Sequence, residues 1–210
     1  YFLISIWGTG RKENSAMKFL IYTVLGSAFM LVGILVVYFS VDPRTTDMIA
    51  IGQMGVQTKL ISTQVVFFLL FIAYAIKLPL WPLHTWLPAA HVQAPTVGSV
   101  ILAGIMLKFG TYGLVRFALQ MTPDAFREAG IVVLFFGVVS AIYGAFATLA
   151  QTDLKRLVAY TSVNHMGYVI VGVAAAALTL DPAVRATALD GAVLQMFSHG
   201  LVTGALFFLV

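Results

Sequence analysis

Four ionisable side chains, Lys77, Lys108, His165 and His199, lie inside runs made mostly of Leu, Ile, Val, Phe, Ala and Gly. A charge at bilayer depth costs roughly 2.5 kcal/mol or more, so the default reading of such a residue is functional. Lysine and histidine both take up and release protons, and histidine does so nearest neutral pH through two distinct ring nitrogens. A series of them in successive helices describes a path for protons or ions. Each also has a plainer reading. Lys77 can snorkel to an interface from a kinked packing helix. Lys108 can be half of a structural buried ion pair, and either histidine taken alone can be a satisfied core residue. Two histidines at similar depth beside two lysines favour a hydrated relay, with Tyr160, Thr161, Ser162, Ser198 and Thr203 holding the water. No carboxylate sits at span depth and no His-x-x-x-His pair occurs, so no metal is expected.

The elements that must position these residues follow from composition. The 210-residue chain is 60% hydrophobic and 10% charged, against about 25% charged in soluble domains. An all-α polytopic membrane protein is therefore expected. The net charge of +4 is spread without a dense basic patch, so nucleic acid is not an expected partner. There is no cysteine, which excludes disulfides, thiolate metal sites and cysteine catalysis. Both ends, Tyr1-Phe2-Leu3-Ile4 and Phe207-Phe208-Leu209-Val210, fall inside apolar runs, as expected of a fragment of a longer membrane protein.

A span needs about 20 predominantly apolar residues. By that measure the chain reads as one transmembrane domain with a remnant at 1–7 and spans at 16–39, 60–87, 96–119, 128–149, 158–178 and 190–210. Loops are expected at 8–18, from Ser40 to about Thr58, at 88–95 and at 150–156. Arg11, Lys12, Lys18, Lys155 and Arg156 then fall on one side, and Arg44, Lys59, Arg116, Arg127 and Arg185 on the other. The counts tie, but the first set sits tighter to helix ends, which places that side in the cytoplasm. Asp153, directly before a span, reads as a helix cap with Lys155 and Arg156 beside it.

The densest stretch is Ala75-Ile76-Lys77-Leu78-Pro79-Leu80-Trp81-Pro82-Leu83-His84-Thr85-Trp86-Leu87-Pro88. Proline removes a backbone donor and clashes with the preceding turn. Two prolines three residues apart should therefore break this helix near Pro79–Pro82, with Pro88 ending the segment. Unwound backbone at membrane depth is tolerated only inside protein or beside water, and broken helices recur at transporter ion sites. Lys77 lies just before the break, and His84 beyond it. Lys108 lies mid-span, over ~15 Å from either end, and must face the bundle interior.

Lys77-Leu78-Pro79-Leu80, His84-Thr85-Trp86-Leu87-Pro88-Ala89-Ala90-His91, Ala94-Pro95-Thr96, Gly98-Ser99 and Leu107-Lys108, with Gln151-Thr152-Asp153-Leu154-Lys155-Arg156 and Asn164-His165-Met166-Gly167, together resemble the antiporter-like subunits of respiratory complex I, of the subunit M (mitochondrial subunit 4) type. The resemblance covers essentially the whole chain. It implies a piece of a fourteen-helix subunit built from two inverted five-helix repeats. It also implies that Lys77 is the broken-helix lysine, Lys108 the lysine of the following helix, His165 and His199 relay histidines, and His84 a gate. A glutamate paired with Lys77 is implied upstream of Tyr1, and a terminal ionisable residue beyond Val210. The implied activity is proton translocation coupled to NADH oxidation and quinone reduction in other subunits, in the bacterial inner membrane. Other complex I membrane subunits and lipid are the implied partners, and this chain carries no redox cofactor. Subunits of multisubunit Na+/H+ antiporters and membrane-bound hydrogenases share much of the pattern and supply the alternative.

Overall fold

The computed structural model describes residues 1–54 and 61–210. Lys59 and the start of the expected 60–87 span lie outside the described residues. Nine helices follow one another among those described: α1 Phe2–Trp7, α2 Lys12–Ser40, α3 Met48–Met54, α4 Thr63–Lys77, α5 Trp86–Gln93, α6 Thr96–Leu119, α7 Pro123–Leu149, α8 Leu154–Leu178 and α9 Pro182–Leu209. No strand occurs among them. Five (α2, α6, α7, α8 and α9) are long and apolar enough to cross a membrane.

Several helices begin earlier than an apolar window predicts, because a cap rather than hydropathy sets a helix start. Pro182 opens α9 eight residues before the expected Asp190, and the Asp181 carboxylate accepts from the Ala183 amide at 2.8 Å. Asp153 likewise caps α8 by accepting from the Arg156 amide at 2.8 Å. Pro123 opens α7, where its missing N–H belongs to the unpaired first turn in any case. The loop expected from Ser40 to about Thr58 contains helix α3.

The expected 60–87 span is two helices. α4 stops at Lys77, residues 78–85 are non-helical, and α5 resumes at Trp86. Pro88 does not end the segment: it stands in the first turn of α5, where no backbone donor is required. The expected loop at 88–95 is thus mostly helix. The backbone groups released by the break are met individually. Pro79 has no N–H for the Ala75 carbonyl, which accepts from Leu80 at 3.0 Å instead. The Ile76 carbonyl accepts from the buried Trp86 indole at 2.9 Å. The Trp81 amide donates to Ser140 Oγ on α7 at 3.2 Å. Unwound backbone is therefore held inside protein, as membrane depth demands.

Small residues bring the helices together. A Cβ on Gly110 would stand 2.9 Å from the Leu78 amide, so α6 runs directly against the break. α6 also widens twice into π-helical turns, Leu102–Met106 and Leu114–Leu119, and Lys108 lies two residues after the first. Such turns recur at functional sites.

Candidate functional site

Lys108 and His199 meet between α6 and α9. Lys108 Nζ lies 2.7 Å from His199 Nδ1 and donates to the Ala103 carbonyl, one π-turn back along α6. The long side chain fits because its neighbours are glycines. A Cβ on Gly200 would stand 3.3 Å from both Lys108 Cε and the Gly104 carbonyl. On its other edge, His199 Nε2 lies 3.1 Å from Ser162 Oγ on α8, and that hydroxyl donates to the Val158 carbonyl at 3.4 Å. This network assigns the tautomer. An ammonium has no acceptor capacity, so Nδ1 accepts from Lys108 while Nε2 carries the hydrogen and donates to Ser162. A proton delivered to Nδ1 can thus leave from Nε2 without the ring turning.

His165 extends the cluster. Its ring centroid is 5.5 Å from that of His199, and Gln195 Nε2 donates to its Nδ1 at 2.8 Å. Three of the sequence-derived candidates, Lys108, His199 and His165, therefore converge on one centre built from α6, α8 and α9.

Lys77 and His84 do not join it through any direct contact. Lys77 ends α4 half-buried, beside a cleft of ≈ 180 Å³ lined by Thr23, Ser27, Trp86, Met106 and Phe109. Its Cβ packs against the Gly110 position of α6, two residues from Lys108. His84 stands within the break, nearly fully buried, with its ring 4.9 Å from the Tyr143 ring and 6.2 Å from that of Tyr160. Neither His84 nitrogen has a hydrogen-bond partner among the described residues.

Sequence reasoning missed Gln195 as a member of this centre and missed the burial of His91. Gln195 precedes His199 by four residues and so shares its helical face; a carboxamide in an apolar run was the available signal. His91, within the expected loop at 88–95, is instead completely buried on α5, stacked on the Phe207 ring at 4.5 Å and 9°. The proline at 88 hid it by suggesting an end where a helix starts.

The chain matches the family described as NADH:quinone oxidoreductase/Mrp antiporter, TM, over residues 1–210. It is 41% identical over its full length to NADH-quinone oxidoreductase subunit M of Rickettsia bellii, covering 40% of that protein. It is 45% identical over 209 residues to an NAD(P)H-quinone oxidoreductase chain 4 of Trichormus variabilis, covering 37%. It therefore spans about two fifths of the length of these relatives. Among solved structures it superposes on respiratory complex I from Thermus thermophilus with a TM-score of 0.87 at 29% identity, covering 98% of this chain and 42% of that one. It also shares the fold of a chain in the Mrp complex from Dietzia sp., with a TM-score of 0.79 at 20% identity, covering 93% of this chain and 34% of that one. A match over every residue, from the broken helix to the His199 helix, means that this chain belongs to the NADH:quinone oxidoreductase/Mrp antiporter transmembrane family.

Proposed function

We propose that this chain is the relay-bearing part of a proton-translocating membrane subunit of NADH:quinone oxidoreductase, with the redox chemistry carried out by other subunits. The observation that carries the reading is the Lys108–His199–Ser162 hydrogen-bonded series beside His165. The likeness to curated subunits M and 4 supports the setting. Its partners are neighbouring antiporter-like membrane subunits and lipid, its location is the bacterial inner membrane, and the chain itself binds no redox cofactor.

In this mechanism a charge change near Lys77 alters the field at the break. A proton held at Lys77 passes through water to Lys108, which is regenerated after giving its own proton to His199 Nδ1. The His199 Nε2 proton leaves toward Ser162 and, by water, His165. His84 gates at the break. Each hop moves one proton; the passage leaves His199 neutral but protonated at Nδ1, so its starting tautomer is restored by a ring turn or by exchange with water before the next proton arrives.

The test is Lys108→Ala in the full-length subunit, assembled in its complex in membrane vesicles. NADH-driven proton uptake is recorded beside quinone reduction, with assembly checked on a native gel. We expect an assembled complex whose proton transport falls by about two orders of magnitude, the effect of losing a positioned acid–base group. Wild-type transport would leave the chain a membrane scaffold. The Mrp likeness in fold favours one second reading, Na+/H+ exchange without redox chemistry. Transport driven by an imposed Na+ gradient and indifferent to NADH would establish that reading instead.

A further inference from the structure

His91 has no place in the path just described, yet it is the most completely enclosed titratable side chain outside it. It is 0% exposed, and neither ring nitrogen has a hydrogen-bond partner among the described residues. Its ring is fixed face to face on Phe207, and its backbone is tied down by Ser99 Oγ, which donates to the His91 carbonyl at 3.1 Å. Leaving a buried polar group unmet costs about 1–3 kcal/mol. A packing role alone would be served better by an apolar ring.

Its position is specific. Phe207 lies eight residues along α9 from His199, which at 1.5 Å per residue puts His91 about 12 Å nearer one membrane face than the His199–Lys108 pair. Lys155, at the start of α8, marks that face, and Lys155 and Lys108 are the cations within electrostatic reach of the imidazole. Buried hydroxyls fill the interval. Thr203 stands midway between His199 and Phe207 on the same face of α9. Ser99 stands one turn before Ala103, whose carbonyl accepts from Lys108.

We infer that His91 is a surface-side relay residue, linking the Lys108–His199 centre to the membrane face marked by Lys155, with Thr203 and Ser99 lining the connection. A proton arriving at one imidazole nitrogen binds there, and the proton on the other leaves toward the next water; the ring is neutral again but in its other tautomer, and proton exchange with water resets it before the next passage. Stacking on Phe207 holds the plane so that the two nitrogens keep their separate neighbours. The inference rests on the proton-translocating reading and adds a station that reading does not require.

The experiment uses the full-length subunit in its assembled complex, in vesicles. His91→Phe keeps the stack on Phe207 and removes both nitrogens. NADH-driven proton uptake is expected to fall about tenfold or more, with normal assembly. His91→Ala, also impaired, should regain transport with added imidazole and not with pyrrole, a ring of the same size without a proton-accepting nitrogen. Rescue by both rings, or wild-type transport in His91→Phe, overturns the inference. If His91→Phe does not assemble, the His91→Ala rescue pattern decides. Lys108→Ala, run alongside, separates the failures. Loss there with no loss at His91 ends this inference alone, and no loss at either ends the translocation reading as well.

Discussion

At the scale of single residues, the centre depends on a side chain being allowed to curl. Lys108 reaches His199 Nδ1 at 2.7 Å only because position 200 carries no side chain. A methyl there would sit 3.3 Å from Lys108 Cε and equally close to the Gly104 carbonyl, so one of the two must yield. The backbone carbonyl belongs to a packed helix and the Lys stem is flexible, so the Lys gives way and lengthens the contact to His199. Gly200→Ala should therefore leave the complex assembled, at an overpacking cost of about 1–3 kcal/mol, while slowing proton uptake several-fold. Vesicle transport measured against thermal stability checks this, and unchanged transport would mean that the Lys108–His199 distance does not govern the relay. The residue types at this centre could be read from the chain, since Lys108, His165 and His199 are polar interruptions of apolar runs. Their convergence could not, because Lys108 and His199 are 91 residues apart and only the packing of α6 on α9 joins them.

At the scale of elements, the break between α4 and α5 is stabilised by replacement hydrogen bonds rather than by its prolines. The prolines, visible in the sequence, remove donors; what meets the orphaned carbonyls comes from elsewhere. Trp86 supplies its indole to the Ile76 carbonyl from ten residues away, and it is 1% exposed, so water cannot substitute easily. Trp86→Phe keeps most of the ring and strands that carbonyl, at about 1–3 kcal/mol. Its melting temperature in detergent should fall clearly below wild type, whereas Trp81→Phe, whose half-buried ring stacks loosely on Phe136 at 6.4 Å, should fall little. Equal melting of the two variants would remove the indole from the account. The same element explains the misreading of residues 88–95. A proline before a short polar stretch looks like a helix end, yet in the first turn of α5 it costs nothing, and only the resumption of the helix brings His91 under cover.

For the whole molecule, membrane class and the order of the long helices follow from composition and apolar run length, because lipid leaves helices as the way to satisfy backbone in a chain of this kind. Helix count does not, since the expected 60–87 span is two helices and the expected loop after Ser40 holds α3. Helix ends follow only where a cap is legible: Asp153 reads as a cap, whereas Asp181 starts α9 well outside its apolar window. Nor does run length reveal which helices approach closely. The α7–α8 seam is where the fold commits itself. A Cβ on Gly167 would stand 2.5 Å from the Ala141 amide and 2.8 Å from the Gly137 carbonyl, and one on Gly144 would meet the Asn164 backbone at 2.5 Å. Asn164 locks the same seam by donating to the Ala141 carbonyl at 2.7 Å. Ser140, in that seam, accepts from the Trp81 amide of the break and donates to the Val163 carbonyl at 3.5 Å. The seam therefore connects the broken helix to the helix bearing Ser162 and His165. Gly167→Ala places a methyl against backbone that cannot rotate away, so α7 and α8 must separate and the Ser140 anchor is strained with them. Assembled complex on native gels should drop sharply, and what remains should melt earlier. Gly191→Ala is the matched comparison, since nothing lies within 4 Å of its Cβ position and helix propensity favours alanine. It should assemble at least as well as wild type. If Gly167→Ala assembled equally well, the seam would be looser than its contacts require, and the coupling of break to relay through Ser140 would have to run by another route.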